Sequence, residues 1–144
     1  VVTLDGESGA ERTGVHEGLV GPAALALAGG SSVWVTETAA GRLGRLDVDR
    51  GEYTVAAEGL AAPEGVAVLP DGRLVVAEVG RRALVALDPE SGARETLAEE
   101  LPIGLPAPAG MPPAWVITGV AAAADGTVYF SSDLESAIYR LRPR

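Results

Sequence analysis

Two stretches of this chain superimpose without a gap. LALAGGSSVWVTETAAGRLGRLD (Leu25 to Asp47) aligns with VAVLPDGRLVVAEVGRRALVALD (Val66 to Asp88) at an offset of 41 residues. VAAAADGTVYFSSDLESAIYRL (Val120 to Leu141) follows at a further 54, the same period with 13 residues added. LDGESGAERT, from Leu4, matches LDPESGARET, from Leu87, at about two periods. A period of about 41 residues that holds four strand-like runs is the spacing of a propeller blade.

The strands follow from the period. Strand A is VAVL-like, strand B is VWVTE, LVVAE or VYFSS, strand C is RLGRL, ALVAL or AIYRL, and strand D is YTVAA or RETLA. Asp71-Gly72 and Asp125-Gly126 predict tight A–B turns, because Asp-Gly tolerates positive φ. Asp88 to Gly92 (DPESG) predicts the C–D turn. Apolar residues sit side by side in A and B, as they must when both faces of a sheet are packed. The runs are too short, too β-branched and too often cut by Gly and Pro for amphipathic helices. A β-sandwich would not require likeness between units at a fixed period. The fold class expected is therefore all-β, a β-propeller of four-stranded antiparallel blades.

The units divide the chain as one partial domain over 1–144. Residues 1–20 end a preceding blade, 21–61 form a blade, 62–114 a blade plus a Pro-rich insertion, and 115–144 strands A–C of the last. A ring typically takes roughly 4 to 8 blades, and this chain supplies about three. An N-terminal strand D with a C-terminal A–B–C set is the arrangement that closes many propellers. Two explanations fit the shortfall: the C-terminal half of a longer six-bladed chain, or two copies closing one six-bladed ring. The absence of a starting Met favours the first.

Composition narrows the function classes. A hydrophobic fraction of 47% is too high for disorder. The net charge of −9 argues against nucleic acid and anionic membranes as partners, since both need a cationic surface. There is no cysteine for disulfides or thiolate metal ligands, and no apolar run of about 20 residues to span a bilayer. The compartment is not legible.

Strand direction alternates, so the D–A connections and B–C loops share one end of the ring, the top. Strand A is innermost, which puts Ala23, Glu64 and Thr118 in equivalent places on the channel rim. Glu37, Glu78, Ser132 and Asp133 end strand B at the same top face. The insertion, ELPIGLPAPAGMPPAWV, rises over it and carries Trp115. It reads either as a specificity loop or as a rigid cover that buries Trp115. Glu37 and Glu78 recur at one unit position. That pattern predicts a repeat-level structural role, accepting N–H groups of the B–C loop, with a cation site at the channel mouth as the alternative. His16, the only histidine, has no serine or acid partner at a recognisable spacing and reads as a surface residue. No G-x-S-x-G, Walker, G-x-G-x-x-G strand–helix or H-E-x-x-H motif is present.

PEGVAVLPDGRLVVAEVGRRALVALDP resembles the NHL-repeat consensus and the repeats of the senescence-marker-protein/gluconolactonase family. ITGVAAAADGTVYFSSDLESAIYRL looks like the closing blade of such proteins and of sorbosone-type sugar dehydrogenases. The resemblance covers nearly the whole chain and implies fold more strongly than activity, because such repeats serve lactonases, lyases, dehydrogenases and binding scaffolds alike. In the gluconolactonase family a P-D-G motif before a strand A supplies an aspartate ligand to a divalent metal. Here the motif is P-E-G, so the resemblance makes Glu64 a metal ligand, for Ca²⁺ or Zn²⁺. The bland alternative is a solvated rim carboxylate. Family acids or asparagines are missing at Ala23 and Thr118. The leading expectation is an NHL-type propeller binding a small molecule or protein at its top face and channel. The alternative is a metal-dependent lactonase-type hydrolase. A quinone-dependent sugar dehydrogenase ranks last, because it would need basic and histidine groups that this chain scarcely supplies.

Overall fold

A computed structural model describes residues 2–4, 8, 11–14, 16–106, 108–109 and 116–143. Strands β1 (Val2–Leu4) and β2 (Glu11–Gly14) pair as a two-stranded sheet. The first four-stranded sheet holds β3 (Pro22–Gly29), β4 (Ser32–Glu37), β5 (Arg42–Asp47) and β6 (Glu52–Ala57). The second holds β7 (Pro63–Val68), β8 (Leu74–Glu78), β9 (Ala83–Leu87) and β10 (Arg94–Ala98). A three-stranded sheet follows, with β11 (Val120–Ala122), β12 (Val128–Ser132) and β13 (Ala137–Leu141). Every pairing is antiparallel between neighbours in sequence. The chain is all-β and has the form of a partial propeller.

The turns form where their residues allow. Gly72 and Gly126 take φ of 87° and 82°. Asp71 and Asp125 each accept the N–H two residues on, from Arg73 at 3.0 Å and Thr127 at 2.9 Å. At the C–D turns Asp47 caps Asp49 and Arg50, and Asp88 caps Glu90 and Ser91. The B–C turns place Gly41, Arg82 and Ser136 at φ of 62°, 54° and 52°, one left-handed residue at the same unit position each time.

The core lies between sheets. Alternate residues of β8 go to opposite sides. Leu74 and Val76 meet Leu43, Ala57 and Leu60 of the first sheet, while Val75 and Ala77 meet Val128 and Phe130 of the third. All five residues of β8 and of β9 are buried. That two-sided burial explains the unbroken apolar runs. The outward faces of the first and last sheets differ: Leu25, Leu27, Tyr129 and Ile138 are exposed there. The strand D–like β2 is paired with β1 and forms a sheet apart from β11–β13, so the described strands do not make the N-to-C closure that the sequence suggested.

Candidate functional site

Strand A begins earlier than the apolar run implies. Register shifts between Pro22 and Leu25 and between Pro63 and Val66, at the same unit position, carry β3 and β7 back over Ala23 and Glu64. Glu64 is therefore the second residue of β7, and Thr118 stands two residues before β11. These equivalent positions of adjacent blades touch. The Thr118 N–H donates to Glu64 Oε2 at 2.6 Å. Gly65 makes the approach possible, because a Cβ there would lie 2.5 Å from the Thr118 carbonyl oxygen. The preceding blade fixes the other side. The Thr36 hydroxyl donates to the Glu64 carbonyl at 2.6 Å, and the Thr38 hydroxyl to the Pro63 carbonyl at 2.6 Å.

Glu64 is only 2% exposed, so it is not a solvated rim carboxylate. Burial pushes its carboxyl above the ordinary range. The N–H and hydroxyl of Thr118 work against that rise, and the charge of Asp133 adds to it. Asp133 directly follows β12. Its Oδ2 accepts the Leu105 N–H at 2.6 Å, while its Oδ1 is buried with no hydrogen-bond partner. The Thr118 Oγ1 sits beside the Glu64 carboxylate without completing a hydrogen bond, and it too is buried without a partner. Buried polar atoms normally find partners, so two orphans beside one carboxylate mark a place shaped for something else.

Glu37 and Glu78 stand apart from this cluster. Glu37 accepts the Val20 N–H at 2.7 Å, Arg42 Nε and Nη2 at 2.6 and 2.9 Å, and the Tyr53 hydroxyl. Tyr53 reaches it because Gly44 has no Cβ to block the ring. Burial alone would raise the Glu37 carboxyl. The bonds from Arg42, Tyr53 and Val20 and the Arg42 charge outweigh it and hold the group at about 2. Glu78 accepts the Ala61 N–H at 2.8 Å and Arg81 Nη1 at 3.1 Å. The backbone donors thus come from the D–A connection rather than the B–C loop expected, because that connection runs past the end of strand B.

The third blade varies the pattern. Ser132 replaces the glutamate, and its hydroxyl donates to the Pro102 carbonyl. Pro102 occupies the place of Val20 and Ala61 and has no N–H to give. Trp115 lies outside the described residues. His16 stacks on Tyr53 of the outer strand β6 with ring centroids 5.1 Å apart. The sequence reading passed over Thr36, which fixes Glu64 through its carbonyl. It also passed over Glu17-Gly18-Leu19, Glu58-Gly59-Leu60 and Glu99-Glu100-Leu101, repeats of the D–A connection that the period itself could have exposed.

Among the described residues no three Asp, Glu or His side chains converge as a metal site. A groove of about 430 Å³ lies at the opposite end, lined by Asp71, Arg73, Glu95 and Asp125, and includes none of the Glu64 cluster. Among the described residues no helix is long and apolar enough to cross a membrane, which does not bear on a β-barrel.

No family model and no curated protein sequence matches this chain. Solved structures do. A gluconolactonase from Xanthomonas campestris superimposes with a TM-score of 0.69 at 22% identity, over 94% of this chain and 48% of its own. A PQQ-bound aldose sugar dehydrogenase from Streptomyces coelicolor gives 0.65 at 22%, over 90% and 46%. A virginiamycin B lyase from Staphylococcus aureus gives 0.59 at 20%, over 95% and 43%. This chain spans about half the length of each, and it shares with them the fold of that half.

Proposed function

We propose that this chain carries part of the channel site of a metal-dependent, lactonase-type hydrolase of the gluconolactonase-like kind. The observation behind this reading is the buried, oxygen-only cluster of Glu64, Asp133 and Thr118, with two of its oxygens lacking partners. The likeness to two gluconolactonase-type propellers supports it over a plain binding scaffold. Two carboxylates and a hydroxyl suit part of the shell of a hard divalent cation, and the absence of nitrogen or sulfur donors in the cluster favours Ca²⁺ over Zn²⁺. Such a cation, when bound, supplies Lewis acidity to a lactone carbonyl. The chain's own residues do the rest. Glu64 and Asp133 provide anionic oxygens. Thr36 and Gly65 hold the Glu64 backbone in place, and Thr118 orients its carboxylate.

Ca²⁺ is expected to raise the melting temperature, and Glu64→Gln to abolish the rise. Hydrolysis of aldonolactones should depend on the same cation. The second reading is the NHL-type propeller binding a small molecule or protein at its top face. The lack of three converging acidic or imidazole ligands among the described residues favours it. A melting temperature indifferent to Ca²⁺ would select it. Closure of a six-bladed ring by a second copy belongs to either reading and would set Glu64 twice around one channel. A solution mass of two chains is its expected result, and a monomer would exclude it.

A further inference from the structure

The added residues of the last D–A connection leave the blade pattern after Leu101 and rejoin it at Thr118. Both feet are held in the same way. The Leu105 N–H donates to Asp133 Oδ2 at 2.6 Å, and the Thr118 N–H donates to Glu64 Oε2 at 2.6 Å. Each foot thus hangs by one backbone donor from one of the two carboxylates whose charges act on each other. The root between them is fixed: Ile103 is fully buried in the core, and the Ser132 hydroxyl holds the Pro102 carbonyl. The other two blade junctions have nothing like it, since Glu37 and Glu78 take an N–H together with an arginine.

Asp133 divides its two oxygens between different tasks. Oδ2 is committed to the loop, while Oδ1 is buried and unpartnered. Thr118 is divided likewise, its N–H on Glu64 and its Oγ1 unpartnered at 0% exposure. We propose that Asp133 couples the site to the Pro-rich connection. Its Oδ1 binds the cation held by Glu64, while its Oδ2 holds Leu105, so occupancy of the channel site fixes the base of the loop above it. The inference rests on the cation-site reading. It adds a positioning role for Asp133 and a route by which the bound state reaches the loop.

The test uses the full chain, Ca²⁺ alone as probe, calorimetric titration, and hydrogen exchange at the Leu105 and Thr118 amides. In the wild type, Ca²⁺ should slow exchange at both. Asp133→Asn keeps an acceptor for the Leu105 N–H, and therefore the fold of the foot, but removes the anionic oxygen. It should weaken Ca²⁺ binding by about tenfold or more. Exchange at Leu105 should then no longer respond to Ca²⁺, while Thr118 still does. Equal Ca²⁺ affinity in Asp133→Asn and wild type, or Leu105 exchange indifferent to Ca²⁺ in a wild type that binds it, overturns the coupling and leaves the cation site standing. A wild type that binds no Ca²⁺ overturns both.

Discussion

Glu37 and Glu64 are both buried carboxylates at the top of the sheets, and their environments drive them in opposite directions. Glu37, 0% exposed, faces Arg42, Tyr53 and the Val20 N–H, and is held at about 2. Glu64, 2% exposed, receives the Thr118 N–H, has the negative charge of Asp133 nearby, and is pushed above the ordinary range. Equal burial therefore does not mean equal purpose. A carboxylate surrounded by donors and a cation is closed and structural. One left with a backbone donor and an unsatisfied neighbourhood retains binding capacity. The contrast sits between the two junctions of one repeat, where the backbone path is nearly the same and only the side chains differ.

The sharpest way to break the comparison is at the closed site. Glu37→Ala strands Arg42, Tyr53 and the Val20 N–H, and should cost about 3 kcal/mol in urea unfolding, the scale for breaking a buried ion pair. The wild-type contribution has a pH signature. Because the folded value, about 2, is below the ordinary 4.5, the stabilisation is complete above 4.5 and is lost as pH falls through about 2. Acid titration of Glu37→Ala against wild type should show the difference shrinking over that window.

A smaller effect is expected at the contact between blades. Gly65→Ala drives a methyl into the Thr118 carbonyl, which is backbone and cannot turn aside. It should cost about 2 kcal/mol. It should also pull Thr118 from Glu64, so that chemical shifts of the Thr118 amide move while those of Val20, at the closed site, stay fixed. Movement at both would show that the two sites are not independent.

The smallest effect has the opposite sign. Glu64→Gln keeps an acceptor for the Thr118 N–H and removes the buried charge. Without metal at neutral pH it should be more stable than wild type by about 1 kcal/mol. A carboxyl with a raised folded value costs nothing below the ordinary 4.5, and its cost grows as pH rises through the folded value. The advantage of Glu64→Gln should therefore vanish on acidification, the reverse of the trend at Glu37. A Glu64→Gln variant less stable than wild type at neutral pH would erase the distinction between closed and open sites.

Much of this architecture is legible in the chain. Leu25–Asp47 against Val66–Asp88 fixes the strand count, and Asp71-Gly72 and Asp125-Gly126 fix the turns. Glu64 and Thr118 can be placed on one rim by the period alone. Their burial cannot. It depends on how closely Gly65 lets β11 approach and on the root of the insertion, and both are long-range packing. The partners of Glu37 and Glu78 were misplaced for a related reason. A repeat shows that a role recurs, but which backbone N–H meets the carboxylate is decided by the path of a connection 17 residues upstream. Thr36 was passed over because it acts through a carbonyl, which leaves no mark in residue type.

The Ser132–Pro102 bond carries a consequence for treating such repeats as interchangeable cassettes. At the first two junctions the strand end accepts and the connection donates. At the third the polarity is inverted, with serine giving and proline receiving. Neither half of that exchange works alone. A glutamate transplanted to position 132 would aim a carboxylate at a carbonyl. An alanine at 102 would bring an N–H to face a hydroxyl already turned the other way. The junction is a two-residue lock, and any consensus drawn by averaging blades column by column would pick its key from one and its barrel from another.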